Sequence, residues 1–231
     1  MIYRDRAEAG ADLARSLSSY RDAPHGIVLA LPRGGVPVAA AIARDLHLPL
    51  DLLLVRKLGL PHQEEFAMGA IATGGIRVMN GTARELGVAQ AEIEQVAQRE
   101  WLELARRDAS YRAGRAPLTL AGLTALIVDD GLATGASMRA AVIAARALGA
   151  ATVVVAVPVG SSDACNALRR EVSEREIPDT GGLARHMTRA DEVVCAHLPE
   201  PFRSVGGWYL DFDQVSDAEV LRIMQNGRAA G

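Results

Sequence analysis

Five short apolar runs set the limits on how this chain can fold. They are 26–31 (GIVLAL), 50–55 (LDLLLV), 124–128 (TALIV), 152–159 (TVVVAVPV) and 192–196 (EVVCA). None alternates apolar with polar residues, as a strand with one wet face does. Such runs suit strands buried on both sides, and both sides are buried in a parallel sheet covered by helices. Helical segments lie between the runs. Asp5 with Glu8 forms a capping box that opens a helix to about Tyr20. Residues 36–46 and 135–148 are alanine-rich, the second stopped by Gly149. Ser161, Ser162 and Asp163 cap a helix to about Val172, and Ser216 with Glu219 opens the last one. The order predicts an α/β chain: a doubly wound, mainly parallel five-stranded sheet with helices on both faces.

Two segments break the alternation. Residues 66–80 read as a hairpin turning at Gly74-Gly75. Residues 89–112 read as one long helix whose stripe of Ile93, Ala97, Trp101 and Leu104 packs on the body or on a partner subunit. We expect a single domain over 1–231, with a core of about 1–198, an inserted hairpin and long helix at about 62–115, and a C-terminal hood at about 199–231. Residues 173–189, polar and holding Pro178, Gly181 and Gly182, read as a surface loop.

Composition narrows the function classes. Of 231 residues, 49% are hydrophobic and 23% charged, so a disordered chain is excluded. With 25 basic against 28 acidic residues the net charge is −3, which argues against a nucleic-acid partner. The two cysteines, Cys165 and Cys195, form no CxxC. Neither a zinc site nor a disulfide is expected, and a reducing compartment is. The first six residues are charged and no apolar run reaches about 18 residues, so neither a signal peptide nor a membrane span is expected. A soluble, cytoplasmic protein follows.

The strongest chemical signal is 126–137, LIVDDGLATGAS. A buried strand ends in two carboxylates, and a short Gly/Thr/Ser loop then opens a helix. Backbone N–H groups at a helix N-terminus form an anion site, strengthened by the helix dipole. Gly131 and Gly135 allow close backbone approach. Thr134 and Ser137 add hydroxyl donors. Asp129 and Asp130 would repel a phosphate but suit vicinal hydroxyls. Carboxylates beside a phosphate cradle point to a phosphorylated sugar, its diol on the acids. Neither GxxxxGK[ST] nor GxGxxG occurs, so this is no Walker or dinucleotide loop.

At this string the chain resembles the type I phosphoribosyltransferases. Their signature is an apolar strand, two acids, a short loop and Thr-Gly-x-Ser/Thr, which binds the ribose 5-phosphate of phosphoribosyl pyrophosphate (PRPP). The resemblance implies that Asp129, Asp130, Gly131, Ala133, Thr134, Gly135, Ala136 and Ser137 form that loop. It extends to 29–36, LALPRGGV, which is similar to the family's pyrophosphate loop, often the home of a non-proline cis peptide. Arg33, Gly34 and Gly35 would hold the diphosphate. In a doubly wound sheet this loop and the Asp-Asp loop would face each other where the strand order reverses. Residues 55–61, VRKLGLP, end another strand, and Arg56-Lys57 resembles the family's basic pyrophosphate pair. Residues 62–68 occupy the place of the mobile catalytic loop, where Glu65 would sit near the nucleophile. Four of the nine aromatics fall within 202–212. There the resemblance implies a hood binding the base through Phe202, Trp208, Tyr209 and Asp211, with Asp211 near a magnesium.

The implied activity is a magnesium-dependent phosphoribosyltransferase of nucleotide salvage that transfers the phosphoribosyl group to a nitrogen heterocycle, a purine-like base, and releases pyrophosphate. Arg33, Lys57, Asp129 and Asp130 would be the catalytic residues, and the assembly a homodimer. The alternative is a non-catalytic PRPP- or nucleotide-sensing regulator on the same fold. One departure bears on the acceptor. The 6-oxopurine enzymes place an aspartate before Thr-Gly, and this chain has Ala133, so adenine-like or non-standard bases are expected ahead of hypoxanthine and guanine.

Overall fold

A computed structural model describes residues 2–79, 81–112, 115–169 and 189–226, with Glu64 and Glu65 described by backbone alone. In chain order its elements are α1 (Arg6–Ser16), β1 (Gly26–Ala30), α2 (Gly35–Leu46), β2 (Leu50–Leu52), β3 (Val55–Leu60), β4 (Gln63–Ala72), β5 (Ile76–Met79), α3 (Thr82–Glu85), α4 (Gln90–Tyr111), β6 (Thr124–Val128), α5 (Ala136–Ala147), β7 (Thr152–Val159), α6 (Ser162–Arg169), β8 (Glu192–His197) and α7 (Asp217–Asn226). Five strands form a parallel sheet in the order β2-β1-β6-β7-β8. This is the expected doubly wound sheet. The chain steps outward from β1 to β2 on one side and from β6 through β7 to β8 on the other.

The non-alternating strands are buried on both faces for the reason expected. Successive side chains point to opposite sides. Val28, Ala30, Leu126, Val128, Val154 and Ala156 pack under α1, α2, α4 and α7, with Leu13, Ile42, Leu104 and Val220. Ile27, Leu29, Ala125, Ile127, Val153 and Val155 pack under α5 and α6, with Met138, Val142 and Leu168. At the head of α1 the Asp5 carboxylate accepts the Glu8 N–H at 2.8 Å, and Glu8 accepts the N–H of Arg4. The helix stops at Ser16 rather than Tyr20, and a 3-10 turn covers Ser18–Tyr20. The Ser216 hydroxyl caps α7 by accepting the Glu219 N–H.

Three expectations need correction. The run 50–55 is not one strand. β2 ends at Leu52, and Val55 begins β3 of a second, antiparallel sheet ordered β3-β4-β5. Leu53 and Leu54 at the break are buried in the cores of opposite sheet faces. Residues 62–68 are likewise no loop: Leu60 pairs with Gln63 across a tight turn, and β4 runs from Gln63. The β4–β5 hairpin turns at Gly74 and Gly75, whose φ of +88° and +78° explain the two glycines. Finally, Cys165 and Cys195 form a disulfide. Their spacing hides this. β8 lies beside β7, with Cys195 opposite Val157, and α6 follows β7 directly. The cysteines therefore no longer argue for a reducing compartment. The 173–189 stretch falls almost entirely outside the described residues. Among those described, no helix is long and apolar enough to cross a membrane.

Candidate active site

The site lies at the carboxyl ends of β1 and β6, the pair at which the winding reverses. Ala30 is opposite Val128, and the Leu31 N–H donates to the Val128 carbonyl at 2.9 Å. The loops after the two strands therefore leave the sheet together. They touch. A Cβ on Gly34 would sit 2.0 Å from Asp130 Oδ2, and one on Gly35 would sit 2.6 Å from the Val128 carbonyl oxygen and 2.9 Å from Asp129 Cα. The two glycines of 29–36 are thus explained by contact with the acidic pair. The Pro32–Arg33 peptide is cis.

Asp129 and Asp130 are partly buried and adjacent. Asp129 Oδ1 accepts the Asp130 N–H at 2.9 Å. Burial pushes the Asp129 carboxyl well above the usual carboxylate range, and the neighbouring Asp130 charge adds to the rise. Burial also raises Asp130, against the pull of the Arg6 guanidinium. Two partly buried carboxylates, one paired with Arg6 and one with a backbone N–H, can accept further hydrogen bonds from a ligand that brings hydroxyls.

Beyond the pair, the chain crosses Gly131 to Gly135, which takes φ +75° and precedes α5. The first-turn amides of a helix have no partner within it and face whatever lies at its end. Ala133, Thr134 and Ser137 are exposed here, Gly135 is buried and Ala136 is intermediate. The Ser161 hydroxyl donates to the Ala133 carbonyl at 2.8 Å, which ties the loop to the end of β7.

The basic residues are held from outside the loop. Arg33 reaches Asp217 Oδ1 at 3.4 Å, at the start of α7. Tyr111 donates to the same oxygen, and burial with this contact raises its hydroxyl to about 12. Arg56 is ion-paired with Glu100 of α4, a carboxylate 10% exposed. Lys57 is exposed on β3, opposite Ala70. Glu65 lies on β4, and its side chain is outside the described set.

Residues of the C-terminal segment pack against the acidic pair. Val205 packs on Gly131, where an added Cβ would lie 2.4 Å from Val205 Cγ1. The Tyr209 hydroxyl donates to the Asp130 carbonyl at 2.6 Å, and its ring stacks on Phe212 at 5.1 Å between centroids. Tyr209 is 6% exposed, so it braces the hood; Phe202 and Trp208 are partly buried beside it. Asp211 is exposed, and its Oδ1 accepts the Asp213 N–H at 3.1 Å.

Sequence reasoning missed four participants: Arg6, Asp217, Glu100 and Val205. Arg6 Nε donates to Asp130 Oδ2 at 2.9 Å, and its guanidinium lies 4.0 Å from the Phe212 ring centroid. Nothing local marks a residue in the first helix as a neighbour of an aspartate 124 positions later.

Comparisons with known proteins identify the family of the chain. The phosphoribosyl transferase domain family matches residues 62–178. A Mycobacterium tuberculosis protein provisionally named a phosphoribosyl transferase, Rv0571c in strain H37Rv and MT0597 in strain CDC 1551, is 42% identical over 224 residues. That alignment covers 96% of this chain and 46% of the relative, so the chain spans about half the length of the curated relatives it matches. The crystal structure of TT1426 from Thermus thermophilus superposes with a TM-score of 0.80 at 40% identity, covering 98% of this chain and 99% of that one.

Proposed function

From the membership of this chain in the phosphoribosyltransferase family, we propose that it transfers the 5-phosphoribosyl group of PRPP to a nitrogen heterocycle of purine-like shape and releases pyrophosphate. The observation that carries the reading is the contact between Gly34 and Asp130, which sets a glycine loop against two carboxylates where the strand order reverses. PRPP has the matching chemistry, a vicinal diol between two phosphate groups.

In this reading the anomeric carbon loses pyrophosphate through an oxocarbenium-like state, and a ring nitrogen attacks with inversion. Little acid–base chemistry is asked of side chains, so catalysis rests on positioning and charge. Asp129 and Asp130 accept the ribose hydroxyls and face the developing positive charge. Residues 131–137 take the 5-phosphate, the Thr134 and Ser137 hydroxyls beside the amides at the head of α5. The backbone of Arg33–Gly35 and the Arg33 guanidinium hold the diphosphate, and Asp217 aims that guanidinium. Lys57 stabilises the leaving group. Arg56 acts beside it while its charge is shared with Glu100. Glu65, on β4, is the carboxylate assigned to the side of the nucleophile. Phe202, Trp208 and Asp211 form the acceptor side, with Tyr209 bracing them.

Among the described residues no group of three or more His, Cys, Asp or Glu could hold a metal alone. Magnesium keeps most of its waters and binds through substrate phosphates and one or two carboxylates, so the proposal asks for no larger protein cluster. Asp211, with an exposed carboxylate, is the residue proposed to meet it. When bound, the ion supplies neutralisation of the diphosphate charge. A homodimer and a cytoplasmic location belong to the same proposal.

The test is pyrophosphate release from PRPP with magnesium across a panel of bases. Release that depends on a base, with adenine-like rings ahead of hypoxanthine and guanine, is expected. PRPP binding without release for any base would replace the enzyme by a sensor. Hypoxanthine or guanine equal to the best base would move specificity from the Ala133 loop to the hood.

A further inference from the structure

Arg6 stands between the acidic pair and the hood, and the reaction scheme above gives it no task. It opens α1 directly after its Asp5 cap. Its side chain is 10% exposed. Nε donates to Asp130 Oδ2 at 2.9 Å and an Nη donates to the Asp213 carbonyl at 2.9 Å. The guanidinium carbon lies 4.0 Å from the Phe212 ring centroid and 5.9 Å from that of Tyr209.

The backbone around it explains why one side chain can act on both places. The Tyr3 N–H donates to the Trp208 carbonyl, the Leu210 N–H to Tyr3, and the Asp211 N–H to Arg4. Residues 3–4 and 208–211 therefore form one strip. Arg6 fastens this strip to Asp130, and the Tyr209 hydroxyl adds a second tie.

We propose that Arg6 is a positioning residue with two separable tasks: its charge keeps Asp130 an oriented carboxylate for the ribose diol, and its planar guanidinium, stacked on Phe212, sets the hood over the acceptor. The proposal rests on the reading of Asp130 as a diol acceptor. The groups facing Asp130 are Asp129 on its own strand end, Arg6 from α1, Tyr209 from the hood and the Gly34 backbone from the loop after β1. Burial raises both carboxyls, the Asp130 charge adds to the rise at Asp129, and Arg6 is the cation that opposes it at both. Removing its charge moves both carboxyls further up, so the diol-accepting form needs a more alkaline solution. Lysine keeps the charge but lacks the flat fork that pairs and stacks at once.

The experiment uses the full chain. PRPP with magnesium is titrated by calorimetry over a range of pH, and the acceptor KM is measured with the best base of the panel. Arg6→Gln is expected to weaken PRPP at neutral pH about tenfold or more, as loss of a charge-assisted contact does. It also moves the pH midpoint of PRPP affinity upward. Arg6→Lys restores the midpoint and leaves the acceptor KM raised. Phe212→Leu, which keeps the charge, raises the acceptor KM and leaves the midpoint where it was; it carries the test if Arg6→Gln does not fold. A residue that only supports the fold lowers thermal stability without moving the midpoint. An unmoved midpoint in Arg6→Gln, or an acceptor KM unchanged in both Arg6→Lys and Phe212→Leu, overturns the proposal. Wild-type protein that does not bind PRPP at all overturns instead the reading of the acidic pair.

Discussion

Gly34→Ala isolates the contact on which the site depends. Gly34 has φ −59° and ψ −36°, open to any residue, so the backbone does not ask for glycine there. The neighbour does: the added methyl carbon would lie 2.0 Å from Asp130 Oδ2 and 2.6 Å from its Cγ. Non-bonded heavy atoms settle at roughly 3.5 Å or more, so the carboxylate must swing away or the loop must retreat. Either movement disturbs the Arg6–Asp130 pair at 2.9 Å and the place offered to the ribose hydroxyl. Hydrogen bonds to charged groups contribute about 1.5–3 kcal/mol. Loss of one such bond weakens PRPP roughly ten- to hundred-fold. The assay is calorimetric titration with PRPP and magnesium, alongside a thermal melt to establish folding. Gly81→Ala is the control, since its methyl would meet only the flexible end of Glu85 at 3.3 Å. A folded Gly34→Ala protein that binds PRPP as the control does would refute the argument.

Lys57→Ala should slow pyrophosphate release more than it weakens the product nucleotide, because the product lacks the group Lys57 is assigned to; a nucleotide-binding defect with normal turnover would move Lys57 to the acceptor side. Gly135→Val places a branched side chain at φ +75°. It should lower stability by about 1–2 kcal/mol or more and abolish ribose 5-phosphate binding, and a normal titration would show that the phosphate lies elsewhere. The acidic pair also sets a pH trend in the unliganded protein. Burial raises the folded pKa of both carboxyls above the unfolded value of about 3.9, so the folded state holds more protons. Their contribution to stability is therefore full below that value and is lost as pH rises through the folded pKa. Asp129→Asn should melt at a higher temperature relative to wild type as pH rises, whereas melts that run parallel across pH would remove the burial argument.

The layout of the sheet was legible because burial on two faces writes itself into each strand separately. Ile27 and Val28, or Ile127 and Val128, need no distant partner to be recognised as residues of a covered strand. The Asp-Asp loop was legible for the same local reason, since strand, carboxylates, glycine and helix start follow one another within 126–137. What the sequence left dark depends on which elements become neighbours. The pairing of Arg56 with Glu100 needs α4 to lie against β3, and a charged residue at a buried helix position reads as solvated until that packing is known. The Cys165–Cys195 disulfide needs β8 to add beside β7. The break at Leu53-Leu54 was hidden because a strand leaving one sheet for another stays apolar throughout. Within 202–212, aromatic clustering drew attention to the segment. It could not tell Tyr209, turned inward onto Asp130, from the more exposed Phe212.

The central claim is that the carboxylates after β6 bind the ribose of PRPP. Calorimetry of wild type against the Asp129→Asn, Asp130→Asn double variant tests it most directly, with pyrophosphate alone as a second ligand. The account predicts that the double variant stays folded, loses PRPP affinity by two charge-assisted bonds of about 1.5–3 kcal/mol each, and binds pyrophosphate far less altered. Unchanged PRPP affinity in the folded double variant would contradict it.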